Sequence, residues 1–141
     1  MSRTYRYERT IMWGDTDPAG TMFSVSAFAL GIEAMEAFYR DVVGITFRDL
    51  QDGRGLGAPM VHASCDYVDY AWLSDRLCLD VAIERLGRSS IAWKIDASKL
   101  PAGGPSFHLK LVSASITLAT RRATALPDDF REAMTPYLLD G

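Results

Sequence analysis

Ser26-Ala-Phe-Ala-Leu-Gly-Ile-Glu-Ala-Met-Glu-Ala-Phe-Tyr-Arg-Asp-Val-Val43 is the stretch that decides the fold. At helical spacing, Phe28, Ile32, Met35, Tyr39 and Val42 form one stripe. Leu30, Ala34, Ala37 and Phe38 carry apolar character round to other faces. Ser24 or Ser26 supplies a start signal and Gly44 a stop. A helix that is apolar on most sides is wrapped inside something, not laid on a surface.

The flanks say what wraps it. Upstream, Tyr5, Tyr7, Arg9, Ile11 and Trp13 alternate with Arg6, Glu8, Thr10 and Met12, the pattern of a strand. Downstream, Phe47 to Gly57 reads as a polar connection. Four extended segments follow, roughly Pro59–Tyr70, Arg76–Leu86, Arg88–Ser98 and Ser106–Thr120. Gly87 suggests a tight hairpin between two of them, and Pro101 to Pro105 is a loop. In the last segment the apolar phase moves from Phe107, Leu109 and Leu111 to Val112, Ala114, Ile116 and Leu118. That predicts a bulge or a change of burial near Leu111–Val112. Asp128–Met134 adds a short terminal helix. The expected fold is α+β: a curved antiparallel sheet wrapped around one long central helix, in a single domain over 1–141.

Composition narrows the function. The 141 residues are 48% hydrophobic and 23% charged, with a net charge of −3. That balance gives no global attraction to nucleic acid or an anionic membrane. Cys65 and Cys78 lack metal-ligand spacing and read as reduced packing residues. The N-terminal residues show no apolar leader and no segment has the length of a membrane span, so a cytoplasmic location is expected.

Just ahead of the helix stands Trp13-Gly-Asp-Thr-Asp-Pro-Ala-Gly20, with two acids in a Gly/Pro-bounded turn. A residue before proline is pushed to extended geometry, so Asp17 projects from the turn. Backbone N–H groups of Met22–Ser24, where the chain enters the helix, suit an anionic oxygen. An aspartate in such a turn is ordinarily an Asx-turn or cap residue, and that reading applies to Asp15.

The order of elements and the Gly14-Asp-Thr-Asp-Pro-Ala-Gly20 motif resemble the hotdog-fold acyl-CoA thioesterases. Within these they most resemble the 4-hydroxybenzoyl-CoA thioesterase family. The likeness covers nearly the whole chain, including Gly57-Ala-Pro-Met-Val61, Tyr67 and Asp75. It implies that Asp17 is the catalytic carboxylate, a nucleophile or the base that activates water, with amides around Phe23 and Ser24 as oxyanion donors. It also implies an aromatic or medium-chain acyl-CoA substrate, with coenzyme A held by Arg88, Ser89 and Ser90. Arg121-Arg122 is a second anion-binding candidate. No cofactor or metal is implied, since coenzyme A belongs to the substrate and a thiolate leaves readily. Active sites between subunits imply a homodimer or homotetramer.

Two other residues are candidate substrate contacts. Glu33 is an acid on an apolar helix, in a position that a related hotdog branch uses for catalysis; a partly exposed or paired helix acid is its plainer reading. His62 lies in the second strand beside the expected cleft, where a strand histidine ordinarily packs with one hydrogen bond. Together they frame an alternative, a hydratase or dehydratase of acyl thioesters. A non-catalytic acyl-CoA-binding protein is the other. Ser64, Ser113 and Ser115 have no neighbouring base and do not read as a triad.

Overall fold

The computed structural model describes residues 2–140. Strand β1 (Tyr5–Thr10) turns its odd residues inward and its even residues outward, as the alternation requires. Helix α1 (Ser26–Phe38) continues through a wider π turn, Tyr39–Val43. It ends at Gly44, whose φ of 82° is the left-handed conformation a helix stop demands. Then come α2 (Phe47–Asp52), the two-residue β2 (Leu56–Gly57), and β3 (Met60–Tyr67). Strands β4 (Arg76–Leu86), β5 (Ser90–Lys99) and β6 (Pro105–Ala114) follow. Short β7 (Ile116–Thr117) and α3 (Asp128–Met134) complete the chain.

Five strands form one antiparallel sheet in the order β1-β4-β5-β6-β3, and β2 pairs with β7. Helix α1 lies across the inner face. Its buried residues include Leu30, Ala34, Met35 and Phe38, packed on Leu79, Val81, Trp93, Ile95, Phe107 and Leu109 from the sheet. Gly31 lets it settle that closely: a Cβ there would stand 2.4 Å from Leu109 Cδ1. The antiparallel sheet around a central helix, expected from the apolar helix, is therefore present. Among the described residues no helix is long and apolar enough to cross a membrane.

Two expectations need correction. Phe47 to Gly57 is not only a connection, because residues Phe47–Asp52 form α2, capped by Thr46 accepting from the Asp49 N–H. Nor does the inward phase of β6 flip at Leu111–Val112: Ser113 and Ser115 stay buried behind Leu111 while Val112 and Ala114 face outward. A serine can hold a core position here because Ser113 Oγ accepts the Trp93 Nε1–H at 3.0 Å. The register shifts fall elsewhere, between Met60 and His62, Ile83 and Arg85, and Ala97 and Ser98.

Beyond α3 the chain returns to the core. Tyr137, in a 3-10 turn (Thr135–Tyr137), sets its ring on Phe38, and the Leu139 N–H donates to the Ile83 carbonyl.

Candidate active site at the entrance of the central helix

Residues 12–26 are tied into a knot between the end of β1 and the start of α1. Asp15 is at its centre. Its carboxylate accepts from Arg9 Nη1 at 2.6 Å and from the Met12 N–H at 2.8 Å. Its carbonyl accepts from the Phe23 N–H at 2.8 Å and from Ser26 Oγ at 2.9 Å. Arg9 in turn reaches Glu33 Oε2 at 2.9 Å, so β1, the turn and the helix share one guanidinium. Burial raises the Asp15 carboxyl, but the Arg9 guanidinium and the Met12 N–H outweigh it and hold the group below its ordinary value.

That direction carries a testable sign. A carboxyl depressed in the folded state adds stability above its unfolded value, near 3.9, and loses it as pH falls through the lower folded value. Asp15→Asn is expected to be less stable than wild type by about 2 kcal/mol at neutral pH, from lost charged hydrogen bonds. The gap should close as pH falls below about 4. Urea melts at several pH values check this, and a gap that stays constant down to the acid limit would refute the linkage.

Asp17 is bound differently. Its Oδ1 accepts the Ala19 N–H at 2.9 Å, an Asx turn, and the Thr21 hydroxyl lies 3.2 Å from both carboxylate oxygens. Main-chain bonds from the Asp17 N–H to Thr21 and from the Gly20 N–H to Asp17 close the loop. No cation pairs with Asp17 among the described residues, and Oδ2 has only the shared Thr21 hydroxyl near it. Oδ1 thus has two donors on it, and Oδ2 the shared hydroxyl alone.

Beside it, the Ser26 N–H donates to the Phe23 carbonyl at 2.8 Å, closing a turn over residues 23–26. The N–H groups of Ser24 and Val25 have no acceptor among the described residues. The Phe23 N–H does have one, the Asp15 carbonyl. Apolar side chains rim the turn: Trp13 is 84% exposed, and Phe23, Val25 and Trp72 are each about half exposed.

The remaining candidates lie apart. Glu33 faces β1, held by Arg9, with the Tyr7 hydroxyl also on it. His62 pairs with Val112 in the outward phase of β3, at the opposite edge of the sheet. The two do not meet within one chain, so the hydratase dyad is not assembled there. Arg88, Ser89 and Ser90 sit at the start of β5, whereas the Asp17 turn lies near its far end, about 30 Å away along the strands. Their turn is rigid. The Arg88 carbonyl accepts from the Leu126 N–H, the Ser89 carbonyl from Ser115, and the Gly87 carbonyl from Arg131 Nη2 at 2.7 Å. The side chains of Arg88, Arg121 and Arg122 form no ion pair among the described residues. An apolar cavity lined by Tyr39, Leu50, Ile91, Leu126 and Phe130 lies at that end, away from Asp17.

Two residues of the knot escape sequence reasoning. Arg9 is signalled only by a charge in the inward phase of β1. Tyr67, whose hydroxyl donates to the Ser24 carbonyl, belongs to the family likeness, but no spacing in the sequence ties it to the turn.

Residues 11–134 match the family model of the thioesterase-like superfamily. The chain belongs to that superfamily. A 1,4-dihydroxy-2-naphthoyl-CoA hydrolase from Synechococcus elongatus is 30% identical over 132 residues, covering 91% of this chain and 93% of the relative. Among solved structures, the 1,4-dihydroxy-2-naphthoyl-CoA thioesterase from Synechocystis superposes with a TM-score of 0.87 at 22% identity, over 94% of this chain and 96% of that one. A Staphylococcus aureus protein solved in complex with CoA gives a TM-score of 0.88 at 14% identity, over 97% and 85%. These likenesses establish the hotdog fold of this superfamily member.

Proposed function

We propose that this protein is an acyl-CoA thioesterase: water and an acyl-CoA give the free acid and coenzyme A. One observation carries the reading. A carboxylate with no cation on it among the described residues, Asp17, stands in the loop just ahead of a helix-entrance amide, that of Ser24, which has no acceptor among those residues. The Asp17 carboxylate attacks the thioester carbonyl, or takes the proton of the water that does. The carbonyl electron pair moves onto oxygen beside the Ser24 N–H. When the C=O bond re-forms, the C–S bond breaks and the thiolate leaves, to be protonated. In the first route water then hydrolyses the mixed anhydride. Labelled-water single turnover separates the routes, because water attacking the aspartyl carbonyl of the anhydride leaves the bridging enzyme oxygen in the first product and places its own in Asp17.

The substrate class proposed is an aromatic acyl-CoA, supported by the relatives' hydroxynaphthoyl substrate and by the Phe23 and Trp72 rings at the turn. The coenzyme A phosphates fall to Arg88, Ser89 and Ser90, with Arg121 and Arg122 nearby in role. One chain sets these about 30 Å along the strands from its own Asp17. A second copy joined about a two-fold axis, edge to edge through β3, brings one protomer's Arg88 end towards the other's Asp17 end. The exposed rim and Val61, 63% exposed on the free edge of β3, suit that contact. Sedimentation at micromolar concentration is expected to give a dimer or tetramer; a 15.6 kDa monomer that is active would overturn the shared site. The proposed setting is the cytoplasm, where the free thiols Cys65 and Cys78 stay reduced.

The test is thiol release over a panel of aromatic and aliphatic acyl-CoAs. Turnover fastest on hydroxylated aromatic thioesters is expected. Tight acyl-CoA binding with no thiol released would replace the enzyme reading by a binding protein.

A further inference from the structure

The Ser24 carbonyl is missing from the hydrogen-bond ladder of α1. The Phe28 N–H, which would reach it in a regular helix, donates to Val25 instead at 3.1 Å. Its partner is the hydroxyl of Tyr67, which comes from the last residue of β3, 43 positions along the chain. The contact is therefore a tertiary choice rather than a by-product of local geometry.

A peptide unit is planar and trans, so the carbonyl of Ser24 and the N–H of Val25 point in opposite directions from one rigid plate. Holding the carbonyl holds the N–H. The neighbouring plate, Phe23–Ser24, is fixed in the same manner by the Ser26 N–H on the Phe23 carbonyl. Val25 has φ −68° and ψ −24°, which makes 23–26 a type I turn. In such a turn, as in the first turn of a helix, successive N–H groups point to the same side.

We infer that Tyr67 is a positioning residue for catalysis: by donating to the Ser24 carbonyl it aims the Val25 N–H as a second oxyanion donor beside that of Ser24. The inference rests on the thioesterase reading above. Burial, with Cys65 beside it, pushes the Tyr67 phenol up to about 12, so the donor keeps its proton at neutral pH. Tyr70 stacks on the Tyr67 ring at 6.2 Å and steadies it.

The experiment compares wild type, Asp17→Asn, Ser24→Pro and Tyr67→Phe on the best acyl-CoA from the panel, with kcat, KM and Tm for each. Proline suits the second place of a type I turn, so Ser24→Pro deletes one N–H with little distortion. Tyr67→Phe keeps the ring and its stack and loosens the other N–H without deleting it. The expected result is a kcat about tenfold lower for Tyr67→Phe, milder than the 10²–10³ of an absent donor. KM should stay within about twofold and Tm nearly unmoved, since the hydroxyl lies at a partly exposed edge. Full kcat in Tyr67→Phe, with Asp17→Asn and Ser24→Pro both crippled, overturns the inference and leaves the thioesterase reading standing. So does a loss in which Tm falls sharply, which marks Tyr67 as a strut. A wild type that releases thiol from no acyl-CoA overturns both.

Discussion

Asp17→Asn is expected to lower kcat for thioester hydrolysis by about 10³-fold while leaving the fold intact. The amide is nearly the shape of the carboxylate. Its oxygen can still accept the Ala19 N–H, and the Thr21 hydroxyl can still bond to it, so the Asx turn survives. What disappears is the charge and basicity of the carboxylate, which either attack or proton removal needs. Because no cation pairs with Asp17 among the described residues, no buried ion is stranded by the change, and Tm should move by only a few degrees. Steady-state thiol release and a thermal melt on the same preparation check both halves. Undiminished turnover would move the chemistry to another group. Glu33 is poorly placed to be it, committed as it is to Arg9.

Phe38→Ala is expected to cost about 4 kcal/mol of folding stability, the upper range for a phenyl ring lost from a core. The ring is fully buried and touches three others edge-on: Tyr5 at 5.7 Å, Trp93 at 5.2 Å and Tyr137 at 5.1 Å. These come from β1, β5 and the C-terminal 3-10 turn, so one truncation opens a void among elements that cannot collapse together. Helix propensity offsets little of this, since alanine gains only about 0.5 kcal/mol over phenylalanine. Tm should drop by roughly 12 °C, measured at fixed protein concentration because subunit association would add to stability. A loss below about 1.5 kcal/mol would mean that the site repacks, against the geometry described.

The sheet-and-helix plan was legible because it follows from a single fact, the apolar character of residues 26–43 on most sides. Strand order within the sheet and the six-residue α2 were harder. Phe47-Arg-Asp-Leu-Gln-Asp52 buries only Leu50, so periodicity has almost nothing to register; the Thr46 cap was the available signal. The serines of β6 misled for a physical reason. Core position 113 is polar because the Trp93 indole needs an acceptor, and apolar phase alone cannot see such a pair. At the site, the turn was visible as a motif, but the bond from Phe23 to Asp15 was not. Which amide stays free depends on how the chain closes on itself. Arg9 and Tyr67 lie on opposite edge strands, and no spacing rule links either to the turn.

The rigid Arg88–Ser90 turn and the knot around Asp15 are built from separate sets of hydrogen bonds, at opposite ends of the central helix. A mutation that reshapes the rim at Phe23 or Trp72 therefore leaves the other end untouched. On the function proposed above, selection could exchange one acyl group for another at the rim while the Arg88–Ser90 end kept the same handle, so that a lineage of such proteins would diversify in substrate without reinventing its grip on coenzyme A.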